Sequence, residues 1–137
     1  MTTIASAPPE ETLHADALWS VRSYRLSVDA LREAWDDVSQ LARDYRCRAI
    51  ADQLHRSVGS IGANIAEGYG RGGGRDRAHF FEYALGSARE ARHWYLAATP
   101  KLGDEATRER VARLNDVARL LIVTIREERR RDVGTFK

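Results

Sequence analysis

The chain has 137 residues, 43% of them hydrophobic, and 22 basic against 20 acidic side chains for a formal charge of +2. That is the length of one domain with apolar content for one continuous core, and the charge is too small to argue nucleic-acid binding by itself. Cys47 is the single cysteine, no basic-then-apolar leader opens the chain, and no apolar stretch approaches the roughly 20 residues of a membrane span, so an internal disulfide and a helical membrane protein are excluded and a cytoplasmic location is expected.

Proline occurs only at positions 8, 9 and 100, and β-branched residues never form a sustained alternating run, so the pattern is all-α. Residues 1–15 carry two prolines, Glu10 and Glu11 and no Lys or Arg, and read as a flexible arm; a helical bundle is expected over 16–132 and a tail over 133–137. At about 100° per residue, Tyr24, Val28, Leu31, Trp35, Val38 and Ala42 form one stripe of a first helix, with Arg25, Asp29, Arg32, Asp36 and Arg43 on its back. After a break near residues 44–46, a second helix has the seam Ile50, Leu54, Val58, Ile61 and Ile65, and is stopped by Gly68, Gly70 and the glycines at 72, 73 and 74. A third helix, from about 75 to 98, turns Phe81, Ala84, Ala88, Ala91 and Tyr95 inward and ends at Pro100 and Gly103. The fourth, from about 105 to 131, buries Val111, Leu114, Ala118, Leu121 and Ile125. Short connections between helices of similar length predict an antiparallel, up-down-up-down four-helix bundle.

Several helices are apolar beyond one face. Gly59, Gly62, Ala63 and Ala66 flank the second helix's seam, Tyr83 and Trp94 sit beyond the core arc of the third, and Leu120 and Val123 beyond that of the fourth. They read either as wide core faces with scattered exposed apolar residues or as an interface between copies of the chain.

No constellation points to an enzyme. Gly68-x-Gly70-x-x-Gly73 matches the dinucleotide fingerprint in form, but follows a helix where that fingerprint needs a strand. Glu90 and His93 have the spacing of a carboxylate-bundle metal motif and Asp52 with His55 nearly so, yet both pairs project away from the core, so no metal and no cofactor are expected. Charge placement is more informative. Arg108, Arg119, Arg126 and Arg130 project within a narrow arc of the fourth helix with no carboxylate inside it, an arrangement that can track a phosphate backbone. Arg71, Arg75 and Arg77, around the glycine-rich loop at the start of the third helix, read as a second place to meet an anion or as a solvated linker.

Residues 53–71, QLHRSVGSIGANIAEGYGR, with the core NIAEGYGR, and the block Phe81-x-x-Ala84-Leu85-Gly86-Ser87-Ala88-x-Glu90 resemble the signature of a bacterial four-helix bundle family. Its members include proteins encoded in intervening sequences of large-subunit ribosomal RNA genes, and the accessory variability proteins of diversity-generating retroelements are similar. The resemblance implies a left-turning antiparallel bundle in a ring-shaped homo-oligomer, commonly a pentamer. For the retroelement branch it implies binding to RNA or DNA and to a reverse transcriptase. The chain departs from the pattern at His55, where Arg is usual, at Gly62, where Pro is usual, and in lacking an aromatic-Pro pair at the end of the first helix. Within the motif, Gly68 is expected to take the left-handed conformation that ends a helix, and Asn64 and Glu67 to satisfy local donors. The resulting expectation is a non-catalytic oligomer that contacts nucleic-acid backbones, with a protein-interaction oligomer as the alternative.

Overall fold

The computed structural model describes residues 14–135, with side chains through Arg131; most of the expected arm therefore lies outside the described residues. The Asp16 carboxylate accepts a 2.9 Å bond from the Leu18 amide and starts a short 3-10 turn, Ala17–Ser20. Four helices follow: α1 (Arg22–Ala42), α2 (Arg48–Tyr69), α3 (Gly74–Leu102) and α4 (Asp104–Thr135). Among the described residues there is no strand. The α1–α2 corner is built by Asp44, whose carboxylate accepts from the Arg46 amide at 3.0 Å and from its guanidinium at 2.7 Å. These bonds hold the Asp44 carboxyl well below the usual carboxylate range.

The seams of α2, α3 and α4 form the core. Leu54, Val58, Ile61 and Ile65 meet Phe81, Ala84, Ala88, Ala91 and Tyr95, and Leu114, Val117, Ala118, Leu121 and Ile125 close the third side. Alanine along α3 lets both neighbours approach closely, because each Ala replaces a bulky ridge with a single methyl. Cys47 is buried at the corner.

α1 departs from its predicted orientation. The buried positions are Ser23, Ser27, Ala30, Ala34, Asp37 and Leu41, each one residue before its counterpart in the expected stripe. One residue is about 100° of rotation, so the apolar stripe turns outward: Trp35 is 67% exposed and Leu31 37%. The cause is polar. Tyr95 Oη donates to Asp37 Oδ2 at 2.7 Å, Arg110 Nε donates to the same oxygen at 2.7 Å, and Arg110 Nη1 donates to Glu33 Oε2 at 2.7 Å. Arg113 adds contacts to Glu33 and, at 3.7 Å, to Asp29. A carboxylate with two donors supplied inside the bundle avoids the cost of an unpaired buried charge. The small residues around it let α1 lie close to α2, where an added Cβ on Gly62 would stand 2.9 Å from Ser27 Oγ.

Helix ends also differ from expectation. Gly68 lies inside α2 with helical geometry, and Gly103 is the one residue with positive φ among those described. The reason for glycine at 68 is space: an added Cβ would stand 2.9 Å from Phe81 Cε1 and 3.0 Å from Phe80 Cβ. α3 continues through Pro100, which sits in the last turn, and stops at Gly103, whose φ of 90° only glycine adopts readily. α4 runs through Thr135, into the segment expected as a tail.

Asp37→Ala is expected to lower the unfolding free energy by about 3 kcal/mol, since it leaves the Tyr95 hydroxyl without its acceptor and Arg110 with Glu33 alone, measurable by denaturant titration. Burial first, and then the bond to Asp37, pushes the Tyr95 phenol above its usual range. The unfolded phenol loses its proton near about pH 10 while the folded one keeps it, so stability falls as pH rises past that point. Tyr95→Phe is expected to flatten this slope while costing about 1 kcal/mol at neutral pH. Gly68→Ala, by forcing α2 from α3, is expected to cost about 1–3 kcal/mol in the same titration.

Candidate nucleic-acid interface

The arginines divide into those used inside the fold and those left to solvent. Arg77 belongs to the first group. Its Nε donates to Glu128 Oε1 at 3.1 Å and its Nη1 to the Tyr69 carbonyl at 2.6 Å, tying the end of α4 to the α2–α3 corner. With its guanidinium also beside the Tyr69 and Phe81 rings, Arg77 faces inward, and the expectation that it meets a solvent anion is corrected. Arg71 is engaged too: it donates to Glu67 at 2.6 Å and its guanidinium carbon lies 4.7 Å from the Phe80 ring centre. Arg75, in contrast, is exposed and makes no ion pair among the described residues.

On α4, Arg108, Arg119, Arg126 and Arg130 are all exposed. Arg119 binds Asp116, which reaches in from the flank, so the stripe is not free of acid at that point. Arg108, Arg126 and Arg130 make no ion pair among the described residues. At 1.5 Å per residue, Arg126 and Arg130 are about 6 Å apart, whereas Arg108 lies about 27 Å from Arg126. The α3–α4 register is set by Arg92 Nη1 donating to Asn115 Oδ1 at 2.7 Å and by Arg129 bonding Glu82. That register places exposed Arg89 level with the middle of α4, beside Arg119. The outer face of α3 and α4 thus presents Arg75, Arg89, Arg126 and Arg130 as unpaired cations. Arg89 was missed from sequence because the stripe was sought on one helix; its position seven residues after Glu82, hence on the same face, is the signal that was there.

The apolar residues expected at an interface separate into three places. Gly59, Gly62, Ala63 and Ala66 share a narrow groove with Tyr24, Val28 and Leu31 of α1, and the exposed Trp35, whose ring lies 6.4 Å from that of His55, extends the same side. Tyr83 and Trp94 lie on α3, where Trp94 is half-buried and donates to Glu90 at 3.3 Å. Leu120 is half-buried and Val123 exposed on α4. Within the motif, Asn64 donates to the Ser60 carbonyl at 2.9 Å and to its hydroxyl at 3.0 Å, and Ser87 Oγ bonds the same hydroxyl at 2.9 Å, joining α3 to α2. The motif thus carries helix packing: a glycine for close approach, a polar bridge, and Glu67 on Arg71.

An open cleft of about 800 Å³ runs between α1 and α4, lined by Asp29, Arg32, Glu33, Glu109, Arg110, Ala112, Arg113 and Asp116. Three of its carboxylates already hold arginine: Asp29 and Glu33 meet Arg113, Glu33 also meets Arg110, and Asp116 meets Arg119. Such pairing fixes the helices and leaves these groups committed to each other. Glu90, His93, Asp52 and His55 are exposed, and no cluster of three metal-ligating side chains occurs among the described residues. No helix among them is long and apolar enough to cross a membrane.

Fold and surface together define an all-α, antiparallel four-helix bundle protein with an arginine-lined outer face. The sequence model of the 23S rRNA-intervening sequence protein family matches residues 20–122, and the chain belongs to that family. Its fold is similar to the crystal structure of a protein of unknown function from the S23 ribosomal protein family of Bacteroides thetaiotaomicron VPI-5482, with a TM-score of 0.71 and 22% sequence identity over 75% of this chain and 97% of that one. Among curated proteins, none matches this chain.

Proposed function

We propose that this chain is a non-catalytic homo-oligomer of the cytoplasm that holds nucleic-acid backbones on the outer face of α3 and α4. The observation that carries the reading is the set of exposed arginines there, Arg75, Arg89, Arg126 and Arg130, which have no acidic partner among the described residues. Cations left without a carboxylate keep their full attraction for phosphate, and displaced counterions drive that binding without sequence readout. Arg108 and Arg119 extend the same face, and Arg71 stands at its corner. The family's name links its members to 23S ribosomal RNA without naming a ligand, so RNA and DNA are both fitting polyanions. A reverse transcriptase beside the oligomer is the partner suggested by the resemblance to retroelement accessory proteins.

Self-association is the second element of the proposal. Leu31 and Trp35 project from α1 beside the small-residue groove of α2, a knob next to a hollow, and an apolar surface of this kind is stabilised by cover. A ring, with a pentamer favoured, would repeat the arginine face once per subunit and multiply weak backbone contacts. The alternative is an oligomer whose partner is a protein; the apolar α1–α2 side favours it if the arginines prove idle.

Light scattering for molar mass, followed by binding of fluorescent RNA and duplex DNA at two salt concentrations, tests both elements. A closed oligomer is expected, with binding that weakens steeply at higher salt and falls by about tenfold or more in an Arg126→Glu/Arg130→Glu variant. Trp35→Glu is expected to lower the molar mass. An oligomer that binds neither probe at low salt leaves only the protein-interaction scaffold, and a monomer rejects the interface.

A further inference from the structure

From Arg75, at the edge of the arginine face, a different kind of surface runs along α3 toward its α2 side. Tyr83 is 51% exposed, yet it is held on two sides. Its hydroxyl lies 2.7 Å from His79 Nε2, with the two rings 4.7 Å apart and inclined by 72°. The Phe80 ring stands edge-on to it at 6.0 Å, and Phe80 is itself covered by the Arg71 guanidinium at 4.7 Å. An exposed tyrosine ordinarily samples several rotamers; the contacts to His79 and Phe80 favour one orientation of this ring, which reduces the entropy lost on binding. Arg75, His79 and Tyr83 are spaced four residues apart, so they form a row along one side of α3 in steps of about 6 Å. A hollow of about 400 Å³ beside this row is lined by Arg75, Asp76 and His79 together with Gly73. Asp76, the carboxylate in the hollow, faces Arg71 at 3.9 Å, while Arg75 has no ion pair among the described residues.

We propose that this row is a binding site for single-stranded nucleic acid, in which an unpaired base stacks on Tyr83 and the adjoining phosphate meets Arg75. The inference rests on the nucleic-acid reading above and adds a strand preference to it. Arginines on the α3–α4 face grip any phosphate backbone, but an aromatic ring adds attraction only for a base that is free to leave its own stack, which a duplex base is not. Aromatic stacking accepts every base, so the site reads strandedness and not sequence.

The test uses the full-length protein and short fluorescent oligonucleotides of one unstructured sequence, as RNA, as DNA, and as the corresponding duplex, with a second set carrying 2-aminopurine to report stacking. Tyr83→Leu is expected to weaken binding of both single strands by about tenfold, to abolish the quenching of 2-aminopurine, and to leave duplex binding unchanged. Tyr83→Phe, which keeps the ring, is expected to retain single-strand binding. Circular dichroism and light scattering show whether each variant keeps its fold and molar mass. If Tyr83→Leu binds single strands as the parent does, the stacking site is rejected while salt-sensitive binding by the arginine face stands. If Tyr83→Leu instead changes the molar mass, the ring belongs to self-association and the site is again rejected. Absence of binding by the parent to every probe rejects this inference and the nucleic-acid reading together.

Discussion

A carboxylate held inside the bundle sets the orientation of α1. Asp37 accepts bonds from Tyr95 on α3 and Arg110 on α4, so three helices meet on one buried group. Turning that position inward carries Ser23, Ser27, Ala30 and Ala34 inward with it. It equally sends Leu31 and Trp35 to the surface. A helix whose apolar stripe was available for the core instead presents much of it to the outside, and contributes only Ala30, Ala34 and Leu41 to a core built mainly by α2, α3 and α4. The arrangement exchanges hydrophobic burial for directional bonds, which favour one rotation of α1 over its neighbours more sharply than interchangeable apolar contacts do.

The same economy runs through the arginines. Arg77, Arg110 and Arg113 bind acids on other helices and act as cross-braces. Arg46 and Arg71 bind acids close in sequence and stiffen corners. Of those without an ion pair among the described residues, Arg22, Arg43 and Arg48 lie on the α1–α2 side, whereas Arg75, Arg89, Arg126 and Arg130 lie on the outer side of α3 and α4. A near-neutral chain therefore carries a locally basic face, because acids and bases are matched unevenly around the bundle. Net charge says little about such a surface; the partner of each guanidinium says more.

The seams of α2, α3 and α4 were legible in the sequence because their apolar spacing agrees with their burial: Leu54, Phe81, Ala88, Leu114 and Leu121 all lie where periodicity puts them. α1 was illegible for a specific reason. Its strongest periodic signal, from Val28 through Leu31 to Trp35, belongs to the outside, and the reason Asp37 goes inside is supplied 58 and 73 positions later by Tyr95 and Arg110. No local window contains that information. Gly68 was recognised as special, but a helix-ending conformation was inferred where close approach to Phe80 and Phe81 is the cause, since sequence shows the absence of a side chain and not what presses against it. The α4 arginines are exposed, as their helical spacing expects, though Arg119 is held by Asp116; Arg89 on the neighbouring helix and the inward turn of Arg77 depend on the register between helices, which no single helix shows.

Gly103 alone separates α3 from α4. Closing so short a connection sacrifices little chain entropy, whereas bringing α1 against α4 means closing a loop that spans most of the domain. Contacts between near neighbours in sequence also form faster than distant ones. The α3–α4 hairpin is therefore favoured as the first part of the bundle to assemble, and α1, whose inward face offers only Ala30, Ala34 and Leu41 as buried apolar residues, is favoured as the last. The order of assembly is thus biased by a single backbone conformation that glycine supplies.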